Sequence, residues 1–126
     1  MSYTYDKELV LEILRNIEWA IDVILKRSSN IKSYDDFLKD DAGLEKLDSI
    51  CMQLINIGEA LKELDKITSQ KLLGNYQEVD WKAAKGMRDV ITHHYFDIDA
   101  EIIFVTIQEK LPQFRDTIKN IISDLN

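Results

Sequence analysis

The chain is 126 residues long, 45% hydrophobic, with one proline, four glycines and a single cysteine; this is enough for one domain, residues 1–126, with a proper core. The lone Cys51 excludes an internal disulfide. Sixteen basic side chains against 23 acidic ones leave a net charge of −7, which counts against non-specific nucleic-acid binding, because that depends on neutralising phosphates with Lys and Arg. Abundant Leu, Ile, Lys and Glu with so few helix breakers predict an all-α fold. Met1–Asp6 lacks a basic region followed by an apolar core, and no apolar run approaches the roughly 18 residues of a membrane span. A soluble cytoplasmic protein with no membrane partner is the expectation.

In chain order, the first predicted helix runs from about Tyr5 to Arg27. Val10, Ile13, Leu14, Ile17, Ile21, Ile24 and Leu25 recur at three and four, a stripe suited to burial. Trp19 lies off that stripe, either as partial core or as a subunit contact, where tryptophan is enriched. Ser28-Ser29-Asn30 ends the helix. Ser33 and Asp36 have capping-box spacing for a short helix pinned by Tyr34, Phe37 and Leu38. Asp40-Asp41-Ala42-Gly43 reads as a turn whose carboxylates cap the next helix rather than bind metal.

That next helix is predicted from Gly43 or Leu44 to Leu64, on a seam of Leu44, Leu47, Cys51, Leu54, Gly58 and Leu61. Cys51 reads as a small core residue. Gly58 costs a helix about 1 kcal/mol relative to alanine, so another backbone is expected close to it. Lys66 to Tyr76 reads as a connector with one helical turn. Asp80 then caps a helix over Trp81–Phe96. The last helix begins near Ala100 behind an Asp99 cap, with Ile102, Ile103, Ile107 and Leu111 apolar. Pro112 interrupts it, and Phe114, Ile118, Ile121, Ile122 and Leu125 carry the pattern to the end. The whole predicts a four- to five-helix up-and-down bundle.

The chemistry-bearing residues crowd into Trp81–Phe96, which holds both histidines. On a helix, Ala84, Met87, Ile91 and His94 form an apolar stripe flanked by Ala83 and Val90, whereas Trp81, Lys85, Arg88, Thr92 and Tyr95 form a polar one with aromatic ends. Asp89 and His93 stand at i,i+4, where a carboxylate can fix the imidazole tautomer and raise its pKa. Imidazole titrates near working pH and suits a general base; a guanidinium at Arg88 suits a phosphate clamp. Arg88 and His93 lie roughly 140° apart on a regular helix. They converge only if the helix ends near Thr92 or a second subunit completes the site. Lys82, Lys85 and Arg88 together offer a local basic patch. No phosphate loop or zinc-like cysteine spacing occurs, so no metal and no cofactor are expected.

Arg88, four residues, His93, one residue and Tyr95 resemble the R-x4-H-x-Y signature of HepT-like ribonuclease toxins of the HEPN superfamily. Ile57-Gly58-Glu59-Ala60, Trp81 followed by Gly86-Met87-Arg88, His93-His94-Tyr95-Phe96, Ile98-Asp99 and Leu111-Pro112 are similar to further landmarks of that family, in order. Asp89 stands where the family often has asparagine. The resemblance implies a HEPN-like bundle acting as a homodimer, with motif helices meeting across the two-fold axis. It implies metal-independent cleavage of RNA with Arg88 and His93 catalytic, and Glu59 near the site as a supporting residue beside Asp89. It also implies a nucleotidyltransferase antitoxin that can attach AMP to Tyr95. Two alternatives stay open on the residues alone: a non-catalytic binding subunit of a nucleotidyltransferase, and a structural adaptor.

Overall fold

The computed structural model describes residues 5–93 and 96–126. Every regular element among them is helical: α1 (Lys7–Arg27), α2 (Asp35–Leu38), α3 (Asp41–Thr68), α4 (Trp81–Lys85), α5 (Met87–His93), α6 (Ala100–Val105) and α7 (Leu111–Leu125), with a 3-10 turn at Leu73–Asn75. This is the all-α bundle that the composition and periodicity predict.

Helix α1 is the central rod. It starts where the Asp6 carboxylate accepts from Leu9 N–H, satisfying one of the free donors of the first turn. Val10, Leu14, Ile17, Ile21 and Ile24 are buried as their periodicity predicts. Helices α3 and α7 pack against α1 on either side, and both run antiparallel to it. Arg27, at the end of α1, donates to Ser49 near the start of α3. On the α7 side, Arg115 pairs with Asp22 at 3.2 Å and Lys119 with Glu18 at 3.4 Å. These ion pairs are exposed, worth about 0–1 kcal/mol each, so the apolar seam sets the packing. Trp19 is 60% exposed and is not core.

Helix α3 begins earlier than the apolar pattern suggests, at Asp41, because the Asp40 carboxylate accepts from Gly43 N–H at 2.8 Å. Leu47, Cys51, Leu54, Gly58 and Leu61 are buried as predicted, but Leu44 is 42% exposed. The helix also outlasts Leu64, ending at Thr68, whose hydroxyl donates back to the Leu64 carbonyl. Ser69 and Gln70 follow at φ 53° and 62°, a left-handed reversal that turns Leu72 and Leu73 into the core.

Gly43 is buried where α2 crosses the start of α3. A Cβ there would lie 2.3 Å from the Asp36 carbonyl oxygen. The capping-box spacing of Ser33 and Asp36 is used in one direction: the Asp36 carboxylate accepts from Lys32 and Ser33 N–H. The first of these bonds is the main cause of a lowered Asp36 pKa. Of the three apolar residues expected to pin α2, only Phe37 is buried; Tyr34 is 40% and Leu38 50% exposed.

The helix expected over Trp81–Phe96 is divided. Gly86 separates α4 from α5, its N–H shared among carbonyls of the preceding turn. The last helix is divided too, but by a π-helical turn at Thr106–Lys110 directly before Pro112. Proline lacks an N–H and its ring crowds the carbonyl four residues back. Widening the preceding turn absorbs that conflict while the rod continues. Ile103, Ile107 and Leu111 are buried across the junction, whereas Ile102 is 45% exposed.

Candidate active site on helix α5

Helix α4 is fixed to the body before α5 begins. The Asp80 carboxylate caps it by accepting from Ala83 N–H at 3.0 Å. Trp81 Nε1–H donates to the Tyr76 carbonyl at 2.7 Å, and its ring meets Phe114 edge-on at 5.8 Å. Trp81 is therefore tied into its own chain, not left on an open aromatic stripe as the sequence suggested. Lys85 pairs with Asp65 of α3. At the same level α3 presents Gly58, where an added Cβ would lie 3.2 Å from the Ala84 carbonyl oxygen and 3.3 Å from that of Lys85. The close backbone expected opposite Gly58 is thus the end of α4.

Helix α5 then carries Arg88, Asp89 and His93 out to the surface, all three exposed, while Ile91 is buried and anchors it. Arg88 Nη1 donates to Glu59 Oε1 of α3 at 3.3 Å, and the same oxygen lies 3.7 Å from Lys62 Nζ. His93 faces elsewhere. With Asp89 and Val90 it lines a cleft of about 740 Å³, bounded on the other side by Tyr34 just before α2, by Leu38 at its end and by the segment from Asp97 to Ile103. Arg88 is not among the lining residues.

The angular separation inferred from the sequence thus has a physical counterpart: one short helix sends Arg88 toward α3 and His93 toward the α2–α6 cleft. Since α5 includes both residues, an early helix end does not bring them together. The expected basic patch is also weaker than its sequence, because Lys85 and Arg88 each face a carboxylate from α3. Tyr95, expected as the modified residue, and His94, expected on the buried stripe, lie outside the described residues.

The cleft walls were not legible in the sequence. Tyr34 and Leu38 read as core, and Asp99 read as a helix cap. The Asp99 carboxylate does cap α6, accepting from Glu101 and Ile102 N–H. What the local sequence could not say is that α2 lies against α6. A second recess of about 380 Å³ lies on the far side of α4, lined by Leu54, Val79, Met87, Leu111 and Phe114 and rimmed by Glu78 and Glu109. Among the described residues no three His, Cys, Asp or Glu side chains gather into a metal-holding group.

Several known proteins resemble this chain along most of its length. A "Putative RNase" of Methanocaldococcus jannaschii is 32% identical over 119 residues, covering 94% of this chain and 88% of that protein. A "Putative RNase" of Caldanaerobacter subterraneus subsp. tengcongensis is 32% identical over 109 residues, covering 86% of this chain and 90% of that protein. The "Probable ribonuclease HepT" of Thermococcus cleftensis is 27% identical over 104 residues, 82% of this chain and 87% of that protein. No solved structure matches the chain significantly. The family model described as "Ribonuclease HepT-like" matches residues 6–121, a span that takes in α1, α3, the whole of α5 and most of α7. The chain belongs to the HepT-like ribonuclease family.

Proposed function

We propose that this protein is an endoribonuclease that cuts RNA without a metal, by attack of a 2′-OH on the adjacent phosphate. The observation that carries the reading is the placement of α5: a helix anchored by buried Ile91 carries an exposed arginine and an exposed histidine, the histidine lining a cleft. His93 takes the 2′-OH proton as general base. Arg88 supports the charge that develops on the phosphorane oxygens, since its planar fork matches two of them and stays charged. The O2′–P bond forms, the P–O5′ bond breaks, and the departing 5′ oxygen takes a proton from water or from the second protomer's imidazolium. The products are a 2′,3′-cyclic phosphate and a 5′-hydroxyl.

Arg88 and His93 point to different sides of α5, so one copy presents two halves of a site. A homodimer in which α5 helices face each other would set Arg88 of one protomer across from His93 of the other. Asp89, one turn before His93, serves to orient the imidazole. In keeping with the family, we assign the protein a toxin role in the cytoplasm, neutralised by a cognate nucleotidyltransferase antitoxin that adds AMP to Tyr95. By helical spacing in the sequence Tyr95 shares a stripe with Arg88, and on that spacing a nucleotide there would bring phosphates to the Arg88 clamp and repel incoming RNA.

Incubation with a mixed-sequence RNA in EDTA tests the chemistry. Cleavage should persist and leave cyclic phosphate ends. His93→Ala should abolish it while changing stability by less than about 0.5 kcal/mol, as for most surface substitutions. Loss of cleavage in EDTA, with recovery on adding a divalent ion, would refute the mechanism. For regulation, wild type incubated with antitoxin and ATP should gain adenylyl mass and lose activity, whereas Tyr95→Phe should do neither. Equal modification of both would remove Tyr95 from the scheme.

A further inference from the structure

Glu59 and Arg88 come from different helices and meet on the outer face of α3, through a single guanidinium nitrogen at 3.3 Å. The arginine side chain is 55% exposed and the carboxylate 44%. A pair of this kind is worth about 0.2–1 kcal/mol, too little to be what fixes α5, which is held by its buried Ile91 and by the preceding α4, itself tied to α3 through the Lys85–Asp65 pair. A carboxylate offers the guanidinium the same planar acceptor pair that a phosphate does. The remaining donors of the Arg88 fork have no acceptor in this contact. Lys62 stands one helical turn beyond Glu59, 3.7 Å from the same carboxylate oxygen. It is a second cation that could keep Glu59 paired if Arg88 left.

We propose that Glu59 is a positioning residue that holds the Arg88 guanidinium against α3 in place of phosphate, and that RNA phosphate takes Arg88 from it while Lys62 retains the carboxylate. The proposal rests on the ribonuclease reading for the identity of the phosphate, but the hold of Glu59 on Arg88 is independent of it. The exchange keeps the number of charge pairs constant. Arg88 changes one anion for another, and Glu59 falls back on a neighbour already in place. The cost of capture is therefore small, and the free protein keeps its clamp oriented but occupied. Glu59 does not touch the reacting atoms; it acts through Arg88.

The signs of three variants separate this from simpler roles. Binding is read with a 2′-O-methylated oligoribonucleotide, which cannot be cut because the attacking hydroxyl is blocked. Glu59→Gln should bind about two- to five-fold tighter, the range set by an exposed ion pair. Lys62→Ala should bind more weakly, because Glu59 then grips Arg88 without a competitor. In an Arg88→Ala background the Glu59→Gln gain should vanish. A gain that survives there would mean general charge repulsion and overturn the proposal. Weaker binding by Glu59→Gln with a lower Tm would mean a structural tie and overturn it too. Phenylglyoxal labelling read at Arg88 by peptide mass, with the exposed Arg15 of α1 as internal reference, tests the hold without RNA. The Arg88 rate should rise two- to five-fold in Glu59→Gln, and equal rates would defeat the proposal. If wild type and all variants fail to bind RNA, the ribonuclease reading falls, while the labelling still decides whether Glu59 holds Arg88.

Discussion

At the scale of single residues, charge and burial sort the reactive side chains into working and structural groups. Cys51 is the clearest structural case. It is 3% exposed within the α3 seam, and burial, helped by the Asp48 carboxylate, pushes its thiol from 9.0 up to about 12. A raised thiol pKa means that folding favours the protonated form. That contribution is complete below pH 9 and is lost as pH rises from about 9 towards 12. We expect native Cys51 to resist iodoacetamide at pH 8. Urea unfolding at pH 8 and 10.5 should show a steeper alkaline loss for wild type than for Cys51→Ala, which itself costs about 1 kcal/mol through the small cavity it leaves. Equal alkaline slopes would show that the thiol does not sense folding. Tyr76 follows the same logic outside the seam. Desolvation, then the 2.7 Å bond its hydroxyl donates to Asp124, pushes its pKa up, and ties the connector to the end of α7.

At the scale of helices, two glycines mark crossings, and they differ in what surrounds them. A Cβ on Gly43 would lie 2.3 Å from the Asp36 carbonyl oxygen and 2.9 Å from that of Phe37, contacts that force backbone apart. A Cβ on Gly58 would meet carbonyl oxygens at 3.2 and 3.3 Å, a conflict of a few tenths of an ångström. Alanine also gains about 1 kcal/mol of helix propensity at either site. Gly43→Ala should therefore cost stability outright, by roughly 2–3 kcal/mol, as overpacking does. Gly58→Ala should be nearly neutral in Tm, since propensity offsets the crowding. It should nonetheless reduce RNA cleavage, because the atoms it pushes belong to Ala84 and Lys85, four and three residues before Arg88. Thermal melts and cleavage rates on the two variants check the order. A Gly58→Ala protein with unchanged activity would show that α5 tolerates the displacement.

At the scale of the whole molecule, the question is how an acidic protein grips a polyanion. With a net charge of −7 and the Lys85 and Arg88 side chains facing α3 carboxylates, attraction must come from a few local cations. Binding of a single strand should weaken with salt by about 0.7 in log K per log salt for each phosphate neutralised. Arg88→Ala should lower that slope by about one such increment per site; an unchanged slope would place the clamp elsewhere. The proposed composite site also requires a second copy. Light scattering at micromolar concentration should give a dimer or a multiple of one, and a strict monomer would leave Arg88 and His93 on opposite sides of α5 with nothing to join them.

What the sequence determined by itself is what local periodicity and composition encode. The α1 stripe, the buried face of α7, the Asp40, Asp80 and Asp99 caps and the unusual Gly58 all follow from spacing that a single helix must satisfy. The ordered motif landmarks determined the family in the same way, residue by residue along the chain. Only the tertiary structure decided the rest, because it depends on which distant segments meet. Tyr34 and Leu38 look like core until α2 is laid against α6, where they become a cleft wall. Trp81 and Lys85 look like an open polar stripe until Phe114 and Asp65 arrive from other helices. Arg88 looks like a free cation until α3 sets Glu59 beside it. Pairings of that kind are fixed by the packing of whole helices, and no window of neighbouring residues contains them.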